Sequence, residues 1–316
     1  MKKKVVSGVI VFFVIIACAV GCLLYTRTIN TQQWFPRGKS QYIAALYVEG
    51  TIEDSNSSYN QKWLLSTIQR LTNEPNNAAI AMYVNSPGGG VYQADEVYFA
   101  LKAYKAAGKK LYVYMGPLAA SGGYYISCPA DQIYANRNTL TGSIGVIAGE
   151  LIDATQLLDE IGITIEAVHS GRNKLMGNFY EEITDEQVDI LQSISDECYE
   201  QFVSIVSNDR GIELSKVKEL ADGRVYTAAQ ALSNHLIDKI DTWDNMLETL
   251  KLQELDTDTC RVISYRYEHK LTFRESLLGM MSDIQNRQAA AKLGLPLSVM
   301  NDLQGFNTYP AYLYRP

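Results

Sequence analysis

The middle of this sequence alternates short β-rich runs with longer runs of helical periodicity, and that alternation limits the fold more than any other feature. We predict strands at 42–48, 78–84 and 111–115, with helices at 59–71 and 91–106 between them. Short apolar strands separated by helices of about twelve residues or more are typical of a parallel sheet covered by helices. The predicted fold class is therefore α/β.

The second half of the chain continues this pattern less regularly. Further predicted elements are strands at 132–135, 144–148 and 163–168 and a helix at 153–161. Two segments have the spacing of a capping box, in which a Thr and a Gln three residues later bond each other's backbone N–H groups. Thr184 with Gln187 predicts the start of a long amphipathic helix, and Thr227 with Gln230 predicts a short one.

The N-terminus has the composition of a membrane anchor. Three lysines at 2–4 precede an uncharged run at 5–25, and Arg27 follows it. At about 1.5 Å per residue the run makes a helix of roughly 30 Å, the thickness of the hydrocarbon core of a bilayer. The basic N-terminal side predicts a cytoplasmic N-terminus and an extracytoplasmic domain. A cleaved signal peptide is the alternative, and Cys18 and Cys22 end weak lipoprotein-type processing sites.

The part of the chain after Arg27 is acidic, since it holds all 35 acidic residues and 24 of the 28 basic ones. An acidic domain is a poor candidate for binding nucleic acid or anionic lipid headgroups, because like charges repel. Outside the apolar run the cysteines are Cys128, Cys198 and Cys260. An odd number at wide spacing predicts neither a disulfide framework nor a zinc site.

Three short segments carry residues suited to chemistry. NSPGGG (85–90), AASGGYY (119–125) and SGRNKLMG (170–177) each follow a predicted strand. Ligands collect at the carboxyl ends of parallel strands, so we expect the first two segments on one rim of the sheet. The glycines after Pro87 allow backbone N–H groups to face a bound carbonyl, as an oxyanion hole requires. A tight turn or a phosphate cradle has the same composition.

Ser121 is the candidate nucleophile. Small residues on both sides, Ala119 and Ala120 before it and Gly122 and Gly123 after it, leave its hydroxyl open to a substrate. If Ser121 begins a short helix, the Gly122 N–H also faces the attacked carbonyl, and the helix N-terminus favours the negative charge that develops there. Ser121 is equally suited to be a plain helix N-cap.

A serine nucleophile needs a base, and the sequence offers few. His269 lies in a charged segment and His235 ends a short helix, which leaves His169 as the histidine candidate. Lys174 is better placed, in a glycine-bounded loop with apolar neighbours. A lysine with the usual pKa of about 10.4 is charged at neutral pH, and burial against apolar groups lowers that value toward the range of a base. A surface lysine is the alternative; Ser143 is either a residue that orients the lysine amine or a turn residue.

Five motifs in this order resemble the signal peptide peptidase A family in its short, single-repeat, membrane-anchored form. They are NSPGGG, AASGGYYIS, TGSIGVI, SGRNKLMG and ADGRVYTAAQAL, and they span residues 41–241. The resemblance implies a fold of the ClpP and crotonase kind, built of stacked ββα units. In that family the substrates are remnant signal peptides, and the subunits form a ring in which serine and lysine come from neighbouring protomers.

The same resemblance assigns roles to individual residues. It implies a Ser/Lys dyad of Ser121 and Lys174, in which Ser143 orients the lysine. It also implies that Gly88 and Gly122 are the oxyanion donors. We expect the substrate site to be lined by Gly89, Ala119 and Ala120.

The sequence therefore predicts a membrane-anchored serine endopeptidase that cleaves remnant signal peptides and other apolar peptides through an acyl-enzyme, as a ring-shaped homo-oligomer. No metal, nucleotide or coenzyme is needed for this chemistry, and no nucleic acid is an expected partner. One alternative is a crotonase-type enzyme acting on acyl-CoA, which an exported location disfavours. Another is a catalytically inactive, membrane-tethered ring that binds signal peptides or partner proteins.

The predicted segments are a cytoplasmic basic start at 1–4, a transmembrane anchor at 5–25, a linker at 26–41, a peptidase domain at 42–242 and a C-terminal extension at 243–316. The final tract, GFNTYPAYLYRP (305–316), is aromatic and contains prolines. An extended tail that lies in a groove and an untethered terminus are both compatible with that composition.

Overall fold

A mostly parallel β-sheet lies at the centre of the structure, a computed structural model that describes residues 41–256 and 260–269 and the backbone of 311–313. The strands in this part of the chain are Tyr42–Glu49 (β1), Asn77–Ser86 (β2), Gly88–Gly90 (β3), Lys110–Ala120 (β4), Gln132–Ala135 (β5), Leu140–Gly142 (β6), Val225–Thr227 (β7), Lys239–Ile240 (β8), Arg261–Tyr265 (β9) and Ala311–Leu313 (β10). The helices are Gln61–Asn73 (α1), Val91–Ala106 (α2), Gly122–Tyr125 (α3), Thr155–Glu160 (α4), Asp185–Arg210 (α5), Leu214–Leu220 (α6), Ala228–Ser233 (α7) and Trp243–Thr249 (α8), which Leu250–Glu254 continues as a π-helix. The predicted α/β class is confirmed.

The main sheet has the strand order β7-β6-β4-β2-β1-β9, and β5 pairs with both β4 and β8. All of these pairs are parallel except β6 with β7. The long strand β4 takes two neighbours in succession: 112–115 pair with β5, and 118–120 pair with β6. The carboxyl end of β4 is therefore held by a different strand from its beginning.

Alternate residues of the central strands enter two hydrophobic clusters, as the period of two along a strand requires. In β2, Ile80, Met82 and Val84 belong to the larger cluster, and Ala79 and Ala81 belong to the smaller one. Helices α1 and α2 contribute to the larger cluster, and α8 contributes to the smaller. Strands buried on both faces have nearly continuous apolar sequences, and this is why β1, β2 and β4 are visible in the sequence.

Most predicted elements are confirmed with small changes at their ends. The predicted strands at 42–48, 78–84, 111–115 and 132–135 correspond to β1, β2, β4 and β5, and the predicted helices at 59–71, 91–106 and 153–161 correspond to α1, α2 and α4. The Thr227 capping box is formed completely. At Thr184 only the hydroxyl bond from the Gln187 N–H is formed. Gln187 is buried, whereas Gln230 at the complete box is exposed.

Two predicted strands are wrong. Residues 144–148 leave the sheet because Gly142 and Ser143 both have positive φ, 82° and 51°, and turn the chain away from β6. Residues 163–168 form no strand. Val168 is 99% exposed, so this β-rich run faces solvent instead of a partner strand.

The predicted basic start, the anchor at 5–25 and nearly all of the linker lie outside the described residues. Within the part of the chain that the structure describes, no helix is long and apolar enough to cross a membrane. The predicted C-terminal extension supplies β9, which pairs with β1 in the main sheet, and α8, which packs in the smaller cluster.

Candidate active site

The carboxyl ends of β2 and β4 meet at one rim of the main sheet. Ser86, the last residue of β2, pairs in register with Ala119 of β4. The segments 85–90 and 119–125 therefore lie side by side, as expected from their positions after two strands. Ala119 and Ala120, which we predicted to line the substrate site, are fully buried in β4 directly before Ser121.

Ser121 stands in a strained turn between β4 and α3. Its backbone has φ 54° and ψ −118°, a conformation that non-glycine residues rarely adopt and that costs about 1–3 kcal/mol. The residue is only 1% exposed, and its side chain makes no capping hydrogen bond to α3. The Ser121 hydroxyl therefore does not act as the N-cap of α3, and it remains available for another role. Strain of this kind persists only where the surrounding structure holds it in place.

Two buried tyrosines hold the short helix α3, which begins immediately after Ser121. Tyr124 Oη donates to the Leu236 carbonyl oxygen at 2.9 Å, and Tyr125 Oη donates to Asp95 Oδ1 at 2.7 Å. Burial raises the pKa of Tyr124 well above its usual range, so its hydroxyl stays protonated and keeps donating. These bonds fix the direction in which α3 leaves the Ser121 turn.

The three glycines of the first segment form the short strand β3, which lies along Ile52. The Ile52 N–H donates to the Gly88 carbonyl and the Gly90 N–H donates to the Ile52 carbonyl, both at 2.8 Å. A side chain at Gly89 would collide with the Ile52 carbonyl oxygen. The predicted substrate residue Gly89 therefore has to be glycine for steric reasons alone.

The two predicted oxyanion donors differ in their present hydrogen bonds. The Gly88 N–H donates to Ser86 Oγ at 3.1 Å. Gly122 is the first residue of α3, and the first N–H groups of a helix have no partner within the helix. The sequence alone did not single out Ser86, although its place two residues before Gly88 in NSPGGG was a usable signal.

Gly142 connects Ser121 to Ser143. The Ser121 N–H donates to the Gly142 carbonyl at 2.7 Å, and Gly142 pairs with Ala120 across β4 and β6. Ser143 follows directly with φ 51°, and its N–H donates to the Arg224 carbonyl at 2.8 Å. The structure thus brings the predicted nucleophile and the predicted orienting serine together through one glycine.

Lys174 is not bonded to this arrangement within the described residues of the single chain. It is exposed in the turn-rich segment 171–177, where its N–H donates to the Gly171 carbonyl at 3.1 Å. Over the described residues, its Nζ takes part in no hydrogen bond or ion pair, and none joins it to Ser121 or Ser143. The apolar shielding expected for a lysine base is not present around Lys174 in an isolated chain.

The segment that carries Lys174 exposes many large apolar side chains. The exposed ones between residues 147 and 194 are Ile147, Ile152, Leu157, Ile161, Ile163, Ile165, Val168, Phe179, Ile183, Val188 and Ile194. So many exposed large apolar side chains on one segment indicate a surface suited to an interaction. We call this region, residues 147–194, the apolar arm.

A cavity of about 550 Å³ lies between the segment that begins at Ser143, helix α5 and the loop before β7. Its lining includes Ser143 and Val146, Ser195 and Tyr199 of α5, and Asp222 of the loop before β7. The cavity therefore has one of the predicted site residues in its wall. In the described part of the chain, no three His, Cys, Asp or Glu side chains are grouped closely enough to hold a metal ion.

The histidines do not contact Ser121 in any described hydrogen bond. His169 is exposed, and its Nδ1 lies 3.2 Å from the Gly171 carbonyl oxygen. His235 is exposed with φ 59°, after the end of α7. His269 Nδ1 lies 3.3 Å from Tyr267 Oη. The alternative base His169 therefore sits in the same exposed segment as Lys174.

Comparison with known proteins adds to this geometry. The family model for Peptidase family S49 matches residues 103–256, a range that includes Ser121, Ser143 and Lys174. The chain is 33% identical over 301 residues to an Enterococcus faecium protein provisionally named signal peptide peptidase SppA, with 92% of this chain and 86% of that protein covered. It is 30% identical to Protease 4 of Haemophilus influenzae, with 86% of this chain and 46% of that protein covered.

More distant similarities are also found. The Serine protease SPPA, chloroplastic, of Arabidopsis thaliana is 29% identical, with 61% of this chain and 28% of that protein covered. A ClpP1 mutant from Listeria monocytogenes is similar in structure, with a TM-score of 0.44 and 15% identity, covering 64% of this chain and 94% of that one.

Proposed function

Since this chain belongs to peptidase family S49 and is a serine protease, we propose that it is a membrane-anchored endopeptidase in which Ser121 is the nucleophile and Lys174 the general base. The resemblance to the signal peptide peptidase A family is confirmed by these relatives. The proposed substrates are remnant signal peptides and other apolar peptides.

The observation that carries the proposal is the state of Ser121. Its backbone is strained, its hydroxyl does not cap α3, and it stands at the carboxyl end of β4 beside Gly122. Backbone strain combined with an uncommitted hydroxyl at a sheet rim is a feature of nucleophile turns. No other serine within the described residues combines a positive φ with a position at the end of a long central strand.

The proposed reaction proceeds in two halves. Ser121 Oγ attacks the substrate carbonyl carbon while its proton moves to the uncharged Lys174 amine, and the carbonyl oxygen becomes an oxyanion held by the Gly88 and Gly122 N–H groups. The C–N bond then breaks, and Lys174 returns the proton to the leaving amine. Water attacks the resulting ester with Lys174 again taking a proton, and Ser121 is regenerated with its proton restored. Ser143 is the proposed residue that orients the Lys174 amine.

Assembly is part of the proposal, because within one chain no described hydrogen bond joins Lys174 to Ser121 or Ser143. The apolar arm carries Lys174 and presents apolar surface that a second copy of the chain would cover. We infer a ring-shaped homo-oligomer in which the arm of one copy brings its Lys174 to the Ser121 of its neighbour. Shielding from water in that interface would favour the uncharged amine.

The decisive experiment uses the full chain in detergent with an apolar fluorogenic peptide. Ser121→Ala and Lys174→Ala are both expected to be inactive, while Lys216→Ala, which removes an exposed lysine of α6, retains wild-type activity. Oligomers mixed from the Ser121→Ala and Lys174→Ala chains should regain activity, because some interfaces then combine an intact serine with an intact lysine. Activity in Lys174→Ala alone would assign the base elsewhere, with His169 the next candidate.

A serine-directed phosphonate probe tests the non-enzymatic alternative. Labelling of Ser121 in the wild-type chain supports the peptidase, and an unlabelled but assembled ring would support the inactive, membrane-tethered ring that only binds peptides.

The proposed topology has its own test. Protease added outside intact cells should degrade the domain from residue 42 onward while leaving the chain membrane-bound at residues 5–25.

A further inference from the structure

Tyr125 connects the Ser121 turn to two other helices. Its backbone N–H donates to the Ser121 carbonyl oxygen at 2.9 Å. Its hydroxyl donates to Asp95 Oδ1 of α2 at 2.7 Å and accepts from Gln201 Nε2 of α5, also at 2.7 Å. One residue therefore joins the proposed nucleophile to both α2 and α5.

The side chains of Tyr125, Asp95 and Gln201 form a closed set of hydrogen bonds, which we call the Tyr125 clamp. Gln201 Nε2 also donates to Asp95 Oδ1 at 3.2 Å, so the amide nitrogen, which carries two protons, has two acceptors. The Tyr125 hydroxyl gives its one proton to Asp95 and accepts one from Gln201. Hydrogen bonds to a carboxylate are stronger than those between neutral groups, so the set favours one position of the hydroxyl.

Aromatic contacts hold the ring of Tyr125 between the same two helices. Its centroid lies 5.0 Å from that of Phe202, the residue after Gln201 on α5, and 5.6 Å from that of Tyr98 on α2. Both distances are typical of interacting aromatic pairs, and Tyr125 and Phe202 are fully buried. The position of Tyr125 therefore follows α2 and α5.

Helix α5 comes from the apolar arm. Its residues 185–194 belong to the arm, and Gln201 lies about 10 Å further along the same helix, at about 1.5 Å per residue. Gln201 is exposed. Water can replace an exposed amide as a hydrogen-bond donor, but a water molecule is not attached to α5. Loss of the Gln201 amide is therefore expected to change the position of α3 more than the stability of the fold.

We propose that Gln201 is a positioning residue for Ser121, acting through the Tyr125 hydroxyl. This inference rests on the proposed function, since it takes Ser121 as the nucleophile. The Gln201 amide and Asp95 fix the hydroxyl, Tyr125 fixes the single turn of α3, and that turn fixes the direction of the Ser121 side chain. A displaced nucleophile attacks more slowly. Binding of the peptide is unaltered, so the effect falls on kcat and not on KM.

The first experiment compares three changes on α5 in the full chain in detergent, with the oligomeric state of each variant recorded. Gln201→Leu keeps a side chain of similar size without its donors, and kcat should fall about tenfold at unchanged KM. Gln201→Lys keeps a donor near the same place and should restore most of that loss. Ser207→Ala is the matched control and should keep the wild-type kcat. It removes the bond from the Ser207 hydroxyl to the Ile212 carbonyl at 2.7 Å, which joins α5 to the residues after its own end.

Two results would overturn the proposal. One is a wild-type kcat in Gln201→Leu, which would show that the amide does not affect Ser121. The other is a fall in kcat of the same size in Ser207→Ala, which would show that any lost hydrogen bond on α5 has this effect.

Hydrogen exchange separates this proposal from the proposed function, because it needs no catalysis. The Tyr125 and Ile126 N–H groups donate to the Ser121 and Gly122 carbonyls at 2.9 and 3.1 Å. Both should exchange about tenfold faster in Gln201→Leu than in the wild type or Ser207→Ala, as mass spectrometry of peptides covering α3 would show. Faster exchange, with no cleavage by any form that has Ser121, would support the hold on α3 and overturn only the proposed catalysis. Unchanged exchange and unchanged kcat would overturn the role of Gln201 and leave Ser121-dependent cleavage intact.

Discussion

The Ser86 hydroxyl accepts a hydrogen bond from the Gly88 N–H, with 3.1 Å between the oxygen and the nitrogen. Ser86 is fully buried, and a Cβ placed on Gly123 would lie 2.8 Å from its carbonyl oxygen. One residue therefore contacts both β3, which carries the proposed oxyanion donor Gly88, and α3, which follows the proposed nucleophile Ser121.

Ser86→Ala should lower kcat about tenfold with little change in KM. The hydroxyl fixes the direction of the Gly88 N–H, which the oxyanion would share in a three-centre hydrogen bond, and a donor without that fixed direction stabilises the oxyanion less. Ser127→Ala is the matched control: Ser127 is also buried beside α3, and its hydroxyl donates to the Gly123 carbonyl at 2.7 Å without touching Gly88. Each variant should lose about 1 kcal/mol of stability from one hydrogen bond. An equal fall in kcat for both would show that Ser86 acts only through general packing.

Ser121→Gly should unfold at higher denaturant concentration than Ser121→Ala, by about 1 kcal/mol in the free energy of unfolding. Glycine adopts φ 54° and ψ −118° without the steric cost that any Cβ incurs there. Both variants lack the hydroxyl and should be inactive, so the comparison isolates the backbone. Urea titrations followed by circular dichroism give the two values; equal midpoints would mean that the turn is not strained in solution.

Gly89→Ala should abolish peptide cleavage and destabilise the domain by more than about 2 kcal/mol. The added methyl would meet the Ile52 carbonyl oxygen, which can move only if β3 separates from Ile52. At Gly149 the nearest atom to an added Cβ is a methyl of Leu191 at 3.8 Å, an ordinary contact. Gly149→Ala should therefore keep its melting temperature, and a stable, active Gly89→Ala chain would contradict the geometry of β3.

The π-helix after α8 is tied to β4 by a pH-dependent contact. Lys110 Nζ lies 2.6 Å from Glu254 Oε2, and this hydrogen bond, helped by one from Tyr112, holds the pKa of Glu254 below its usual value. Because the folded pKa is depressed, the contribution is complete at neutral pH and is lost as the pH falls below about 4.3 through the folded value. Both side chains are partly exposed, so the contribution is at most about 0.5 kcal/mol. Glu254→Gln should flatten this part of the stability curve between pH 6 and pH 3, and a curve with the same pH dependence as the wild type would contradict the contact.

The sequence was informative where side chains carry the signal. Strands β1, β2 and β4 are buried on both faces, and their apolar runs could be read directly. Ser121 was predicted as the nucleophile because the small residues around it are unusual; the structure places it in a strained turn, and its catalytic role stays a prediction. The positive φ of Ser143 was not predictable, because it depends on the pairing of Gly142 with β7 far along the chain.

Elements defined by backbone contacts alone were missed. Strand β3 consists of three glycines, which have no side-chain pattern, and it exists because Ile52 and β10 lie beside it. The run at 163–168 has the composition of a strand but no partner in the described chain, so composition misled there. The exposed position of Lys174 was equally invisible, since solvent exposure is a property of the folded arrangement and not of the loop sequence.

Gly142, which accepts a hydrogen bond from Ser121 and directly precedes Ser143, also makes the Ser121 turn depend on a strand much later in the chain. Gly142 accepts the Ser121 N–H and is itself paired with Val225, and a Cβ at Gly142 would lie 2.6 Å from the Tyr226 ring. Contacts between residues this far apart in sequence form late, because the intervening chain must first be ordered. A chain that is still emerging, with residues beyond 220 not yet available, has the serine but not the turn that presents it. The Ser121 turn is therefore complete only after synthesis has passed β7.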